Sequence, residues 1–138
     1  MIGRAFDRYE KEYAEHLFIQ ENDKKRITMS DIEKTVETHI KATGNRPVVI
    51  VDYLQIIAPD DKRADTRFNI DDAVTRLKVL STQNNVPVIA ISSMNRESYS
   101  KAISMTSFKE SGGIEYSSDV LIGLQFARQR EIDEFNKN

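Results

Sequence analysis

The sequence predicts an α/β fold, with a mainly parallel sheet flanked by helices. Three features point there. Val48-Val49-Ile50-Val51 is an unbroken β-branched run, the pattern of a strand covered on both faces. A helical segment separates it from a second such run, Val86-Pro87-Val88-Ile89-Ala90-Ile91. Strand, helix, strand at this spacing is the signature of a crossover unit with parallel strands. A third run, Val120-Leu121-Ile122-Gly123-Leu124, supplies the next strand.

Ile2, Phe6, Tyr9, Tyr13 and Leu17 recur at steps of three and four, so a helix with one packing face opens the chain. Leu17-Phe18-Ile19-Gln20 then reads as a short strand, and residues 21–26 as a polar loop. Ser30-Asp31-Ile32-Glu33 has the form of a capping box. Ile32, Val36 and Ile40 give the helix behind it an apolar stripe, and Gly44 is placed to stop it. After the first buried strand comes a polar loop from Ala58 to Arg67. The next helix starts near Asn69, with Ile70, Ala73, Val74, Leu77 and Leu80 on one side, and ends at Gln83-Asn84-Asn85. Pro87 sits near the start of the second strand, where a missing amide is tolerated. Ser92 to Gly113 is a long polar loop in which Gly112-Gly113 reads as a turn. The tail from Arg128 onward is charged. The domain reading is one partial unit over residues 1–138. It has a helical lead-in with a short strand (1–45), a core from the first to the last buried strand (46–127) and a charged tail (128–138).

Composition narrows the functional classes. The 138 residues fit one domain, and 20 Lys plus Arg against 22 acids give a net charge of −2. That balance argues against strong sequence-blind nucleic-acid binding by the whole surface, while leaving room for a local basic loop. With no cysteine there is neither a disulfide framework nor a cysteine-ligated zinc. The longest apolar runs reach about six residues, far below the ~20 of a membrane helix. The chain reads as cytoplasmic, with no membrane partner.

In parallel sheets ligands sit beyond the carboxyl ends of the strands. The candidates are therefore Asp52 and its neighbours, Ser92 to Arg96, and the segment after Gln125. A carboxylate on the tip of a covered strand is held rigidly against a cleft. This suits an acid that holds magnesium through water while the ion bridges nucleotide phosphates. The bland alternative is an Asp that caps its own loop. His16 and His39 are isolated and make no catalytic or metal constellation. A phospho-acceptor role for Asp52 would need an acidic pair at the first strand's end and a lysine after a later strand, and neither is clear.

Asp52-Tyr53-Leu54-Gln55 follows the first run directly. Downstream, in order, come Leu77-Lys78, then Ile91-Ser92-Ser93-Met94-Asn95-Arg96, then Phe108-Lys109-Glu110-Ser111-Gly112-Gly113-Ile114-Glu115, then Ser118-Asp119-Val120. From about Arg46 to Leu124 this series resembles the ATPase domain of the replicative DnaB-type helicases, within the RecA-like superfamily. The resemblance implies a RecA-like core, ATP and magnesium in the complete protein, single-stranded DNA as partner, and a hexameric ring.

By resemblance, Asp52 is the Walker B acid, carrying magnesium through water. Ser93 occupies the place of the γ-phosphate sensor, where the family usually has glutamine. Gln55 and Asn95 fall on the nucleotide side. Arg96, Lys101 and Lys109 lie in the loop that faces single-stranded DNA, where they would pair with phosphates. Glu110 and Glu115 match family positions, and Glu115 is given no catalytic role. No Gly-x-x-x-x-Gly-Lys-Ser/Thr occurs anywhere in the sequence. The resemblance puts that phosphate loop before residue 1, so the expectation is the later part of an ATPase domain that cannot hydrolyse ATP by itself and holds no tightly bound cofactor. A non-enzymatic DNA-binding or assembly module is the competing reading, which the serine at position 93 favours. The family's strand order would also put the phosphate-loop strand between the second and third runs. The chain is then expected to pair those two runs directly, or to dimerise by strand exchange.

Overall fold

The computed structural model describes residues 2–21, 26–60, 66–94, 103–108 and 112–124. In chain order the elements are α1 (Ile2–Glu12), α2 (Met29–Thr43), β1 (Val49–Val51), α3 (Thr66–Asn84), β2 (Val88–Ala90) and α4 (Gly112–Ser117). Short 3-10 turns occupy Leu54–Ile56 and Met105–Phe108.

The expected strand-helix-strand unit is present. β1 and β2 pair in parallel, with Val49 opposite Val88, Ile50 opposite Ile89 and Val51 opposite Ala90. α3 makes the connection and turns Ile70, Ala73, Val74, Leu77 and Leu80 inward, all of them buried. α2 adds Met29 and Val36, α4 adds Ile114, and β1 adds Val51. Full burial of a side chain such as Leu77 or Leu80 stabilises by roughly 1.5–3 kcal/mol, so this one cluster dominates the fold's stability.

The helix ends follow from local chemistry. α2 is capped by Thr28, two residues before the expected Ser30. The Thr28 side chain accepts from the amide of Asp31, and the Asp31 carboxylate accepts from the amide of Thr28. The box forms earlier in the chain because Met29 belongs inside the helix, where it is 2% exposed in the core. Gly44 stops α2 with φ +73°, and its amide donates to the Ile40 carbonyl at 2.8 Å. α3 ends as expected, with Asn85 left-handed at φ 52°. The Arg46 guanidinium donates to the Asn84 carbonyl at 3.0 Å, so a cation just before β1 caps the carboxyl end of α3.

Several expectations are corrected. The apolar strands are covered on one face only. Val49, Val51 and Val88 join the core, whereas Ile50 and Ile89 are 60% and 53% exposed, because α2, α3 and α4 all pack into the same cluster. Val120–Leu124 is not a strand. Leu121 touches the core and Gly123 lies against Ile103, where a Cβ would come within 2.6 Å of Cγ2, but Val120, Ile122 and Leu124 face solvent. A strand exists by hydrogen bonding to a neighbour, and this segment has none within the two-stranded sheet, so direct pairing with β2 does not occur. Leu17–Gln20 is likewise irregular. It lies along α2, with Phe18 edge-on to His39 at 5.3 Å and the Thr35 hydroxyl donating to Gln20 at 3.2 Å. α1 forms, but Phe6 and Tyr13 remain exposed and no α1 residue joins the core cluster. The Gly112-Gly113 pair opens α4 instead of a turn, with the Gly113 amide donating to Asp71 at 3.2 Å.

Candidate functional site

Parallel pairing brings the carboxyl ends of β1 and β2 to the same edge, which places Asp52 beside Ser92 and Ser93. The backbone ladder fixes their relative height. The Ile91 amide donates to the Val51 carbonyl and the Leu54 amide to the Ile91 carbonyl, both at 2.9 Å. There the ladder stops, since Leu54 turns into the 3-10 segment and is 2% exposed. The Asp52–Tyr53 peptide is cis.

Gln55 lies one step past the ladder and engages both ends of its side-chain amide. Nε2 donates to Ser92 Oγ at 2.9 Å, and Oε1 accepts from the Ser93 amide at 3.4 Å. The Ser92 hydroxyl in turn donates to the Ser93 carbonyl at 3.3 Å. The tips of the two strands are thus held by one side chain. Sequence reasoning places Ser92 only as a neighbour of the second strand's end. Its hydroxyl has a role once β2 is set against the turn after β1.

Asp52 is exposed at the strand tip. Among the described residues no group of three or more His, Asp or Glu side chains could hold a metal ion. A single carboxylate at a rigid tip suits magnesium, which keeps several waters and takes one or two carboxylates together with substrate phosphates. It does not suit a cation that needs an all-protein cage. Ser93 is exposed on the neighbouring tip. Asn95, Arg96, Lys101 and Lys109 lie outside the described residues, as does the 128–138 tail.

Two pieces of the sequence series that carried no role meet in space. Lys78, from Leu77-Lys78, donates to both carboxylate oxygens of Asp119 at 2.7 and 2.8 Å and so ties α3 to the segment after α4. Both groups are solvated, so the pair fixes geometry more than it stabilises. Glu115 Oε1, in α4, is shielded from solvent and has no hydrogen-bond partner among the described residues.

A parallel strand pair joined by a helix, with an acid on one tip and hydroxyls on the next, defines the class of RecA-like nucleotide-binding cores. Comparison with known proteins agrees. Residues 4–137 match the family model described as DnaB-like helicase C terminal domain. The replicative DNA helicase DnaB of Geobacillus stearothermophilus is 30% identical over 121 residues, 85% of this chain and 26% of that protein. The corresponding protein of Mycobacterium intracellulare is 28% identical over 106 residues, covering 75% of this chain and 18% of its own length. Among solved structures, one helicase-type ATPase domain superposes with a TM-score of 0.60 at 28% identity, over 67% of this chain and 34% of that one. A DnaB-like replicative helicase, solved in a study of its interactions with primase, gives a TM-score of 0.64 at 25% identity over 70% of this chain and 24% of that one. The chain belongs to the DnaB-like helicase C-terminal domain family, and its fold is that of the RecA-like helicase ATPase domains. It spans about a quarter or less of the length of these curated relatives.

Proposed function

We propose that this chain is the Walker B and DNA-loop portion of a replicative helicase ATPase. The observation that carries the reading is the apposition of Asp52 and Ser93 on adjacent parallel strand tips in a chain of this family. Asp52 holds the magnesium of a bound ATP through water, and Ser93 with Asn95 faces the γ-phosphate. A serine hydroxyl is shorter than the glutamine side chain usual at this place and reaches a phosphate through a water. Arg96, Lys101 and Lys109 pair with the phosphates of single-stranded DNA. In the complete protein, cytoplasmic and assembled as a hexameric ring, ATP would lie between subunits.

The chain alone does not hydrolyse ATP on this reading, because its sequence contains no phosphate-loop motif to supply the loop amides and lysine that cradle the phosphates. The test is an ATPase assay on the chain with magnesium. No turnover is expected; magnesium-dependent turnover abolished by Asp52→Ala would overturn the assignment of inactivity. A non-enzymatic DNA-docking or assembly module is the second reading, favoured by Ser93. Anisotropy with labelled single-stranded DNA bears on both, and an absence of binding at low salt removes the DNA role from each.

A further inference from the structure

We infer that Gln55 is a positioning residue, an amide clamp that continues the β1–β2 ladder past its last backbone bond and sets where Ser93 stands relative to Asp52. The inference rests on the proposed nucleotide site for its meaning, and on geometry for its existence.

In the ladder, the Val51 carbonyl accepts from the Ile91 amide and the Ile91 carbonyl accepts from the Leu54 amide. The next donor along β2's strand direction is the Ser93 amide. Its acceptor is not a backbone carbonyl, because the chain after β1 has already turned into the Leu54–Ile56 segment. The side chain of Gln55 supplies a carbonyl in its place, at 3.4 Å. A primary amide is the side-chain group that most closely copies a peptide unit, with an acceptor and a donor on one plane. The donor end is used as well, on Ser92 Oγ at 2.9 Å. With both ends committed inside the chain, the amide works on the β2 tip and not on a nucleotide.

The clamp makes a chemical prediction that a packing role does not. A glutamate at position 55 keeps an acceptor for the Ser93 amide. The Ser92 hydroxyl, now donating to the Ser93 carbonyl, can turn to donate to that carboxylate instead. The charge of the new carboxylate is then felt directly at the Ser93 amide proton.

The experiment is amide NMR on the full chain, native and substituted. In Gln55→Leu, hydrogen exchange at Ser93 accelerates by roughly three- to tenfold, the size of one modest hydrogen bond, while Leu54 and Ile91 exchange as in the native chain. In Gln55→Glu, the Ser93 amide proton shifts with the ionisation of the introduced carboxyl, over and above the shift that the nearby Asp52 causes in the native chain. Unchanged Ser93 exchange in Gln55→Leu, or equal acceleration at Leu54, Ile91 and Ser93, overturns the clamp. So does a Ser93 titration in Gln55→Glu identical to the native one, which decides the matter alone if Gln55→Leu does not fold. None of these readings depends on metal or nucleotide, so the assignment of Asp52 can fail while the clamp holds, and the reverse.

Discussion

The guanidinium of Arg76, on α3, lies 2.6 Å from the carboxylate of Glu33, on α2, and the same group reaches Asp60 in the loop after β1. It also donates to the Ser30 hydroxyl at 3.0 Å and stands 3.6 Å from Asp72 one turn earlier. One cation therefore joins both helices to the loop that leaves the candidate site. Its hydrogen bond to Glu33, and then that to Asp60, raise its pKa against the opposing effect of burial.

Replacing Arg76 with Met removes the joint and leaves two carboxylates facing each other. The Arg76 side chain keeps 25% of its surface in water. The loss is therefore smaller than for a fully buried ion pair, about 1–3 kcal/mol. Urea unfolding of the native and Arg76→Met chains measures it as a lower midpoint at unchanged slope.

Asp60 makes this joint pH-dependent. Burial pushes its carboxyl pKa up, but hydrogen bonds from Arg76, Thr28 and Ser30 and the charge of Arg76 outweigh burial and hold the pKa below the ordinary carboxylate value. A lowered pKa means that the unfolded chain takes up the proton first as pH falls. The stabilisation is therefore complete above the ordinary carboxylate value, about pH 4, and is lost as pH drops through the folded value. Unfolding midpoints measured from neutral to acid pH should fall less steeply in Asp60→Asn than in the native chain.

The α2 stop gives a backbone test. Gly44 has φ +73°, and no side chain would clash there, since nothing lies within 4 Å of an added Cβ. Any cost of Gly44→Ala is conformational, about 1 kcal/mol. A thermal melt checks it. A loss several times larger would mean that more than a left-handed turn is at stake.

Much of the fold is legible in the sequence, for a physical reason. Val48–Val51 and Val86–Ile91 can be little other than covered strands, and the inward stripe from Ile70 to Leu80 can only join them as a helix. Gly44 and Asn85 stop their helices as their backbone freedom predicts. The misreadings share a cause. Val120–Leu124 and Leu17–Gln20 have strand composition, but strand structure belongs to a pair, and composition does not report whether the partner is present. Coverage of the second sheet face is likewise a property of neighbours. At the site, Asp52 and Ser93 can be placed from strand ends alone. The reach of Gln55 to Ser92 spans 37 positions and that of Arg76 to Glu33 spans 43, and no local pattern marks either.

The DNA assignment is separable from the nucleotide one. If Arg96, Lys101 and Lys109 each pair with a phosphate, replacing all three with Ala weakens single-stranded DNA binding. It also lowers the slope of log affinity against log salt by roughly 2, given about 0.7 per contact on a single strand. Anisotropy titrations at several salt concentrations give both quantities. A weaker complex with an unaltered slope would mean that the three cations do not touch phosphate.

Whether Asp52 carries the metal of a nucleotide site at the strand tips can be read from paramagnetic broadening by manganese–ATP, residue by residue in the amide spectrum. The method detects weak complexes and reports position. Broadening should centre on Asp52, Tyr53 and Ser93 and disappear in Asp52→Asn. Broadening confined to other carboxylates, with the tips of β1 and β2 untouched, would put the metal elsewhere and end the nucleotide reading.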